Sequence, residues 1–368
     1  MRWDVVVVGA GFAGVVAAER FASKGSKVLV IERRSHIGGN SYDYYNSQGI
    51  LVHLYGPHIF HTKDKGVWDY LSRFTKWRLY SHKVQAYIEG KKVPLPFNLN
   101  TLDALFPSSF ASALGNKLIS EFGYGARVPV LEMLENEDKD IRFLAEYVYE
   151  NVFLNYSIKQ WGLKPEEMDP RVTARVPVLV GRDDRYFHDP FQGIPASGYT
   201  RMFENMLRSP NISVMLNTDY KGMISTLSFG RLVYTGPIDY FFDFKHGVLP
   251  YRSMRFDFET LDLDRFQDVA VVNYPNDYGF TRVTEFKHLT GQRHKGTTIL
   301  KEFPEDFKMG KNVPCYPIQT DKSLLTYEKY KKEADSLDNV IFLGRLAEYR
   351  YYNMDEVVKE ALDRCIYR

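Results

Sequence analysis

The sequence predicts an α/β fold with three parts: a nucleotide-binding domain built on a parallel sheet, an inserted helical lobe and an antiparallel β-sheet. Three observations carry this prediction. An apolar strand runs directly into a glycine-rich turn and an Ala-rich helix near the start of the chain. Helical periodicity dominates residues 98–162, and residues 249–303 alternate with period two over several runs. With 368 residues the chain is long enough for more than one lobe.

The first forty residues contain a dinucleotide-binding motif. The β-branched run at 4–8 has the pattern of a buried parallel strand, and Gly9, Gly11 and Gly14 follow it as G-x-G-x-x-G before a helix. Glycines at these positions let backbone N–H groups approach a pyrophosphate. The next apolar run ends at Glu32, whose carboxylate can accept ribose hydroxyls. This context predicts a Rossmann-type βαβ unit; the alternative is a glycine-rich turn in an ordinary βαβ unit.

A second glycine cluster narrows the choice of cofactor. Arg33 and Arg34 follow Glu32 directly, and Gly38-Gly39-Asn40 comes shortly after them. Rossmann NAD enzymes usually continue into another helix at this point. FAD proteins instead carry a second glycine-rich segment, whose backbone approaches their extended dinucleotide closely. The pattern therefore predicts a Rossmann-type FAD-binding domain, with the helical lobe and the antiparallel β-sheet domain inserted in it.

Composition excludes several classes of function. The formal net charge of +2 gives no polyelectrolyte signature, so nucleic acid is not expected as a partner. Cys315 and Cys365 support neither a disulfide framework nor a Cys-based metal site, and His58 and His61 lack an obvious third ligand, so no metal is expected. The chain opens directly into a strand and has no apolar run of membrane-spanning length, which predicts a cytoplasmic protein.

The helical lobe follows a predicted hairpin at 84–95. Its clearest feature is an apolar stripe at helical spacing, formed by Ile141, Leu144, Ala145, Val148 and Val152. Tyr149, Phe153 and Tyr156 form a second stripe on the same helix, which ends near Trp161. An aromatic stripe is more often core than ligand site. Two stripes on one helix suggest that one faces the core and the other a cleft.

The second half of the chain adds a loop, a sheet and a final βα unit. Residues 171–189 contain four arginines with no clear period and are predicted as a loop. Arg282 lies on a strand lined with aromatic residues, where a charge is costly unless it meets an anion; a solvent-facing edge strand is the alternative. Residues 340–345 are predicted as the last buried strand. Asn353 and Glu356 are spaced as the N-cap and capping-box partner of the last helix.

The domains are predicted to be discontinuous, because the chain returns to the nucleotide-binding domain at its end. Residues 42–55 are predicted to be turn-rich. The predicted ranges are 1–80, 190–240 and 335–368 for the FAD-binding domain, 98–165 for the helical lobe, and 81–97, 166–189 and 241–334 for the sheet and substrate domain.

These segments resemble the bacterial UDP-galactopyranose mutase family over essentially the whole chain. The most specific matches are G-P-H-I-F-H-T at Gly56–Thr62 and G-R-L-A-E-Y at Gly344–Tyr349. The resemblance implies a flavin-dependent isomerase that interconverts UDP-galactopyranose and UDP-galactofuranose. It implies a covalent N5–sugar adduct of reduced FAD with no net redox change, a role in supplying galactofuranose for cell-surface glycans, and a homodimer.

The resemblance also assigns roles residue by residue. Arg175 and Arg282 would stabilise the pyrophosphate electrostatically while the flavin acts as the nucleophile. The expected FAD contacts are Gly9, Gly11, Phe12, Gly14, Glu32, Arg33, Gly39, Asn40, His58, Ile59, Arg345, Tyr352, Asn353 and Met354. The expected substrate contacts are Phe153, Tyr156, Ser157, Trp161, Tyr186, Arg252, Asn273, Glu302, Tyr316 and Tyr351.

Two positions depart from the family pattern, and two other functions compete. His82 stands where many members have Asn, which affects the expected sugar contacts, and Asn353 stands where many have Asp, which removes a carboxylate near the flavin. An amine-oxidase-like flavin oxidoreductase would share the N-terminal motifs but consume oxygen stoichiometrically. A non-catalytic UDP-sugar binder would bind without isomerisation, and the presence of both Arg175 and Arg282 argues against it.

Overall fold

The computed structural model describes residues 2–164 and 177–365. The chain divides into unit 1, which comprises Met1–Tyr80, Asp189–Met254 and Asp306–Arg368, and unit 2, which comprises Ser81–His188 and Arg255–Glu305. Residues 241–254 and 306–334 thus lie with the nucleotide-binding domain and not with the predicted sheet domain. The reason is a set of backbone hydrogen bonds within unit 1, among them Phe307 N to Tyr251 O.

The elements are numbered in chain order over the described ranges. The strands are β1 (Arg2–Val8), β2 (Val28–Ile31), β3 (Asp43–Tyr45), β4 (Leu51–His53), β5 (Phe60–Thr62), β6 (Trp77–Leu79), β7 (Val84–Ile88), β8 (Lys91–Leu95), β9 (Arg127–Val128), β10 (Val178–Leu179), β11 (Phe191–Pro195), β12 (Ile212–Met215), β13 (Ser228–Tyr234), β14 (Tyr251–Leu261), β15 (Val271–Asn273), β16 (Arg282–Glu285), β17 (Thr297–Asp306), β18 (Tyr316–Pro317) and β19 (Val340–Phe342).

The helices complete the set. They are α1 (Phe12–Ala22), α2 (Lys65–Ser72), α3 (Leu99–Leu105), α4 (Ser108–Phe122), α5 (Val130–Leu134), α6 (Lys139–Val148), α7 (Asn155–Trp161), α8 (Tyr199–Met206), α9 (Ile238–Phe241), α10 (Phe286–Thr290), α11 (Asp321–Ala334) and α12 (Met354–Arg364). Short 3-10 turns lie at Gly39–Ser41, Tyr220–Gly222 and Ile224–Thr226, and a π-helical turn lies at Tyr149–Leu154. Within residues 2–164 and 177–365, no helix is both long and apolar enough to cross a bilayer.

Unit 1 is organised around a parallel five-stranded sheet with the order β12-β2-β1-β13-β19. The Val-rich segments Val5–Val8 of β1 and Val28–Ile31 of β2 are buried because one face packs on α1 and the other on an aromatic cluster that includes Tyr234 and Phe342. This arrangement confirms the predicted Rossmann-type domain.

Residues 42–55 of unit 1, which the sequence predicts to be turn-rich, contain the β3–β4 hairpin. The hairpin closes because the Asn46 side chain accepts hydrogen bonds from the N–H groups of Gln48 and Ile50, each at 3.0 Å. The buried carboxylate of Asp43 then accepts hydrogen bonds from the first N–H groups of α8, from Tyr199 at 2.6 Å and Thr200 at 2.8 Å. The hairpin therefore anchors the start of that helix.

In unit 2 the sheet order is β14-β17-β16-β15-β7-β8, to which β14 contributes its residues 255–261, while Tyr251–Met254 belong to unit 1. Its neighbouring strands pair antiparallel at β7–β8, β15–β16 and β16–β17, whereas β15 pairs parallel with β7. The prediction of an antiparallel sheet therefore needs this one correction. A parallel pair is possible here because the helical residues between β7 and β15 give the chain enough length to return to the same end of the sheet.

The helical part of unit 2 contains the predicted apolar stripe. All five residues of the stripe, the first being Ile141 and the last Val152, are buried. Helix α6, the π-helical turn and α7 follow one another without a break. The carboxylate of Asp138 begins this helix by accepting hydrogen bonds from the N–H groups of Asp140 and Ile141.

A buried carboxylate stabilises the sheet of unit 2. Glu285, at the end of β16, accepts hydrogen bonds from the N–H groups of Phe266 and Gln267, from the Thr297 hydroxyl at 2.6 Å, and from the His288 ring at 3.2 Å. Burial by itself would raise the pKa of Glu285, but these hydrogen bonds together lower it to about 2. The ionised carboxylate therefore stabilises the folded state.

Replacing this carboxylate is expected to change stability in a pH-dependent way. Glu285→Gln should lower the free energy of unfolding by about 1–3 kcal/mol at neutral pH. Because the folded-state pKa is depressed, the stabilisation is fully present above the ordinary value of 4.5 and is lost as the pH falls through about 2. Urea unfolding at a series of pH values should show the difference between wild type and variant shrinking below pH 4.5.

The matched control is Glu259→Gln, which removes a half-exposed carboxylate that pairs with Lys301 at 2.9 Å on the same sheet. Exposed pairs contribute only about 0–1 kcal/mol, so this variant should stay close to wild type. A Glu285→Gln effect that does not vary with pH would contradict the assignment.

Candidate functional site

The first glycine-rich turn of unit 1 is shaped by contacts that exclude a side chain. Gly9 has φ +100°, and a Cβ there would lie 2.1 Å from the Thr235 hydroxyl, which donates to Val8 O at 2.7 Å. A Cβ on Gly14 would lie 1.9 Å from Gly9 O. The turn therefore needs glycine at both positions, one for its backbone conformation and one for close packing of α1 on β1.

The second glycine cluster meets the first directly. Gly39 has φ +56°, and a Cβ on it would lie 2.8 Å from the Gly11 Cα atom. The two segments thus approach each other backbone to backbone, next to the N-terminal end of α1. A glycine-rich backbone beside a helix N-terminus is a typical cradle for a diphosphate.

Glu32 and Arg34 connect these segments at the end of β2. The Glu32 carboxylate accepts hydrogen bonds from Ala10 N and Arg34 N, both at 2.8 Å. The Arg34 guanidinium lies 4.4 Å over the Tyr55 ring and donates from Nη2 to Asn40 Oδ1 at 2.8 Å. Its Nη1 atom is buried and has no hydrogen-bond partner among the described residues. A buried cationic donor of this kind fits an anionic ligand.

These groups line a cavity of about 640 Å³ in unit 1. The volume lies within the roughly 300–1,000 Å³ typical of small-molecule and cofactor sites. The predicted cofactor residues that line it are Gly9, Gly11, Phe12, Glu32, Arg33, Gly39, Asn40, His58, Arg345, Tyr352, Asn353 and Met354. Gly14 lies under Gly9, and Ile59 is buried in the core. The glycine cradle and the free donor of Arg34 fit a dinucleotide cofactor.

Arg34 and Asp239 also line the cavity, although neither was among the predicted cofactor contacts. Arg34 follows Glu32 by two residues, and this spacing at the end of a strand could have indicated it. Asp239 is buried, and burial raises its pKa. Its carboxylate accepts from Leu249 N at 2.9 Å and from the Tyr251 hydroxyl at 3.2 Å. Only these tertiary contacts distinguish Asp239 from other acidic residues after a strand.

Arg345 contacts two aromatic rings within unit 1. Its guanidinium lies 4.8 Å from the Tyr316 ring centre and 5.0 Å from that of Tyr351, and the two rings are nearly parallel with centres 6.0 Å apart. Its Nη2 donates to Tyr352 O at 2.7 Å. Arg252 is the cross-strand neighbour of Tyr316, and its buried guanidinium forms an ion pair with the exposed carboxylate of Asp306. Three predicted substrate residues, Tyr316, Tyr351 and Arg252, therefore belong to unit 1.

Asn353 begins α12, as the sequence predicts. It is the N-cap residue and forms a capping box with Glu356, whose carboxylate accepts from Asn353 N at 2.7 Å. Asn353 and Met354 both line the cavity, so the positive end of the helix dipole lies at its wall.

In unit 2, three predicted residues form a row across the sheet. Asn273 on β15 is the register partner of Arg282 on β16, and Arg282 is the partner of Glu302 on β17. The Arg282 Nε donates to Glu302 Oε1 at 2.6 Å; the Glu302 side chain is 1% exposed and that of Arg282 26%. The ion pair holds a partly accessible cation in one place, which suits recognition of a phosphate.

The helix that carries the predicted aromatic substrate residues is attached to the loop between two of these strands. Lys159 on α7 donates to the carbonyls of Tyr274 and Asn276, at 3.1 and 2.9 Å, in the loop between β15 and β16. The helix carries Phe153, Tyr156, Ser157 and Trp161, and of these Phe153 and Ser157 are buried. Unit 2 thus brings together an aromatic helix and an arginine-bearing hairpin.

Tyr186 and His82 are neighbours in unit 2. Tyr186 N donates to His82 O at 2.8 Å, and the two rings meet at 67°. His82 is 4% exposed and also stacks on Phe187, so the family's Asn is replaced by a packed ring. Arg175, predicted as the second catalytic arginine, lies outside the described residues.

The two histidines of the G-P-H-I-F-H-T motif have separate environments in unit 1. His61 Nδ1 pairs with Asp189 at 2.6 Å, whereas His58 N donates to His53 Nδ1 at 3.0 Å. Burial lowers the pKa of His53 to about 3, so this ring is neutral. Among residues 2–164 and 177–365, no cluster of three or more His, Cys, Asp or Glu side chains is arranged to hold a metal ion.

Comparison with known proteins identifies two family models that match. The model described as UDP-galactopyranose mutase matches residues 151–351, and the one described as NAD(P)-binding Rossmann-like domain matches residues 7–74. The chain is 38% identical to a protein named probable UDP-galactopyranose mutase from Klebsiella pneumoniae, over 98% of this chain and 93% of that one. It is 35% identical to a dTDP-fucopyranose mutase from Escherichia coli, over 98% and 96%.

The fold also matches a solved structure. A crystal structure of reduced UDP-galactopyranose mutase aligns with a TM-score of 0.74 at 16% identity, over 99% of this chain and 93% of that one. At this identity the match is one of fold.

Proposed function

Because this chain belongs to the UDP-galactopyranose mutase family of flavin-dependent isomerases, we propose that it interconverts UDP-galactopyranose and UDP-galactofuranose. The observation that carries the proposal is the row Asn273–Arg282–Glu302, in which a buried carboxylate orients a cation suited to a pyrophosphate. A homodimer, a cytoplasmic location and a role in supplying galactofuranose for cell-surface glycans belong to the same proposal and rest on the resemblance.

The cofactor would be FAD, held in the cavity of unit 1. Gly9, Gly11 and Gly39 would let backbone N–H groups reach its diphosphate, with Arg34 as a buried donor and Glu32 on the ribose. Reduced FAD would supply a nucleophile for the anomeric carbon of the sugar, with no net redox change.

The side chains of the protein would stabilise the charge on the departing UDP and hold the nucleotide in position. UDP gains charge as it leaves the sugar, so the guanidinium of Arg282 would stabilise the transition state more than the bound substrate. Tyr156 and Trp161 would provide flat surfaces for the uracil. Glu302 would keep Arg282 in place between departure and return of the nucleotide.

A second candidate substrate is a dTDP-sugar, favoured by the 35% identity to the dTDP-fucopyranose mutase. The test incubates the dithionite-reduced protein separately with UDP-galactofuranose and dTDP-fucofuranose and follows the pyranose products by chromatography. UDP-galactopyranose formed faster supports the main proposal, and preference for the dTDP-sugar supports the second. Oxygen consumed in proportion to product would instead indicate an oxidase.

Substitution of Asn353 is expected to separate helix capping from cofactor tuning. Asn353→Asp keeps an N-cap oxygen, so stability should change little, but it adds a negative charge at the cavity wall. Like charges disfavour the anionic reduced flavin, so the reduction potential should fall. Asn353→Ala should cost about 0.5–2 kcal/mol of stability through the lost cap. Redox titration and a thermal melt of each variant measure both; an unchanged or raised potential for Asp would place residue 353 away from the flavin.

A further inference from the structure

The helix that carries the predicted uracil platform changes phase at its π-helical turn. Up to Val152 the buried positions follow the α-helical spacing of the apolar stripe. Continuing that spacing would bury positions 156 and 159, but the buried residues are Phe153 within the turn and Ser157 and Gln160 after it. Compared with an uninterrupted α-helix, the sequence positions that face the core are therefore shifted by one residue. This shift corresponds to a rotation of about 100° around the helix axis. π-turns insert one residue in this way and are frequent at functional sites.

A π-helical turn breaks the regular ladder of backbone hydrogen bonds, so it needs other partners. Asn276, in the loop between β15 and β16, supplies one. Its Nδ2 donates to Asn151 O inside the turn at 3.1 Å, and its Oδ1 accepts from Asn155 Nδ2 at the start of α7, also at 3.1 Å. One side-chain amide therefore bridges the turn and the helix that follows it, using both its donor and its acceptor.

The same loop holds α7 further along. Asn276 O and Tyr274 O accept from Lys159, and the Thr281 hydroxyl lies 3.5 Å from Gln160 Oε1. The strands on either side of this loop carry Asn273 and Arg282. The contacts of Asn276 thus link the rotation of the aromatic helix to the strands that hold the predicted phosphate-binding arginine.

We propose, on the basis of the proposed function, that Asn276 is a positioning residue for the nucleotide of the substrate. It stabilises the π-helical turn and so sets the rotation at which Phe153, Tyr156 and Ser157 stand relative to Arg282. An α-helix without the turn would move these side chains by one position.

The test compares Asn276→Ala with wild type in nucleotide affinity and in kinetics. The variant should raise the Kd for UDP and the KM about five- to tenfold, with a smaller change in kcat, because the loss of two hydrogen bonds affects binding of the nucleotide throughout the reaction. UDP binding is followed by protein fluorescence; Trp161 is the tryptophan of unit 2, since Trp3, Trp68 and Trp77 lie in unit 1. The flavin spectrum and reduction potential should stay unchanged.

Asn136→Ala is the matched control. Its side chain also bridges two segments of unit 2, accepting from Asp138 N at 2.9 Å and donating to Glu121 on α4 at 3.4 Å, and neither of these hydrogen bonds involves the π-helical turn or α7. It should lose stability without a change in KM. If Asn276→Ala fails to fold, Asn155→Ala, which removes one of the two bridging bonds, takes its place in the same measurements.

The outcomes separate the two proposals. A wild type that binds UDP and isomerises, together with a variant whose Kd and KM equal those of wild type, would overturn the role of Asn276 alone. A wild type that binds UDP but does not isomerise would overturn the proposed function, and the Kd comparison would still decide on Asn276. A wild type that does neither would overturn both.

Discussion

The purified protein is expected to be yellow and nearly inactive until its flavin is reduced, and then to catalyse many turnovers after a single reduction. The reason is that the proposed isomerisation needs an electron pair that the reduced cofactor carries and regains in each cycle, so electrons are required but not consumed. The measurement follows pyranose formation from UDP-galactofuranose with oxidised and dithionite-reduced protein under anaerobic conditions, and counts turnovers per reducing equivalent.

An oxygen electrode supplies the control for this experiment. Slow reoxidation in air should end the activity without any fixed ratio of oxygen to product. Consumption of one equivalent of reductant or oxygen per product would contradict the mutase mechanism and favour an oxidoreductase of the amine-oxidase type.

Removal of the Arg282 side chain is expected to give the largest mutational effect. Hydrogen bonds to charged groups contribute about 1.5–3 kcal/mol, so Arg282→Ala should lower turnover roughly ten- to 150-fold. Arg282→Lys should recover only part of this loss, because a lysine cannot reproduce the planar donor geometry that meets Glu302. Steady-state kinetics of the reduced enzymes measures both effects.

Folding must be measured alongside, because Arg282→Ala leaves the buried Glu302 without its ion-pair partner. The variant should remain yellow, and its melting curve reports any loss of stability. Arg255→Ala is the matched control, since Arg255 is exposed, pairs with Glu305 at 3.3 Å and lies 3.9 Å over the Phe303 ring. Near wild-type turnover in Arg282→Ala would rule out Arg282 as the phosphate-binding cation.

Several features could be predicted from sequence because short-range physics decides them. Gly9 and Gly14 mark a turn where backbone conformation and helix–strand packing exclude a Cβ, and the structure shows both constraints. Asn353 and Glu356 form the predicted capping box, which depends only on residues within one helical turn. The apolar stripe up to Val152 is buried because its spacing matches the α-helix.

Other features escaped prediction because they depend on contacts distant in sequence. The β3–β4 hairpin lies in residues whose composition suggests turns, yet Asp43 anchors it to α8 through Thr200, more than a hundred positions away. The division into units followed the backbone pairing of 251–252 with 316–317, which no local pattern reports. Arg34 could be seen as part of a basic pair, but its unpaired buried nitrogen could not.

The sequence by itself determined the parallel nucleotide-binding domain, the glycine cradle and the family, because these depend on local periodicity, backbone sterics and short motifs. The tertiary structure alone decided the parallel pairing of β7 with β15, the row from Asn273 to Glu302 and the phase of the aromatic helix. The helix shows most directly why these features could not be predicted. A prediction of buried positions from a 3.6-residue spacing assumes an uninterrupted α-helix. The π-helical turn shifts the buried positions by one residue. The side-chain amide of Asn276, more than a hundred positions further along the chain, forms hydrogen bonds with the turn and with the helix that follows it.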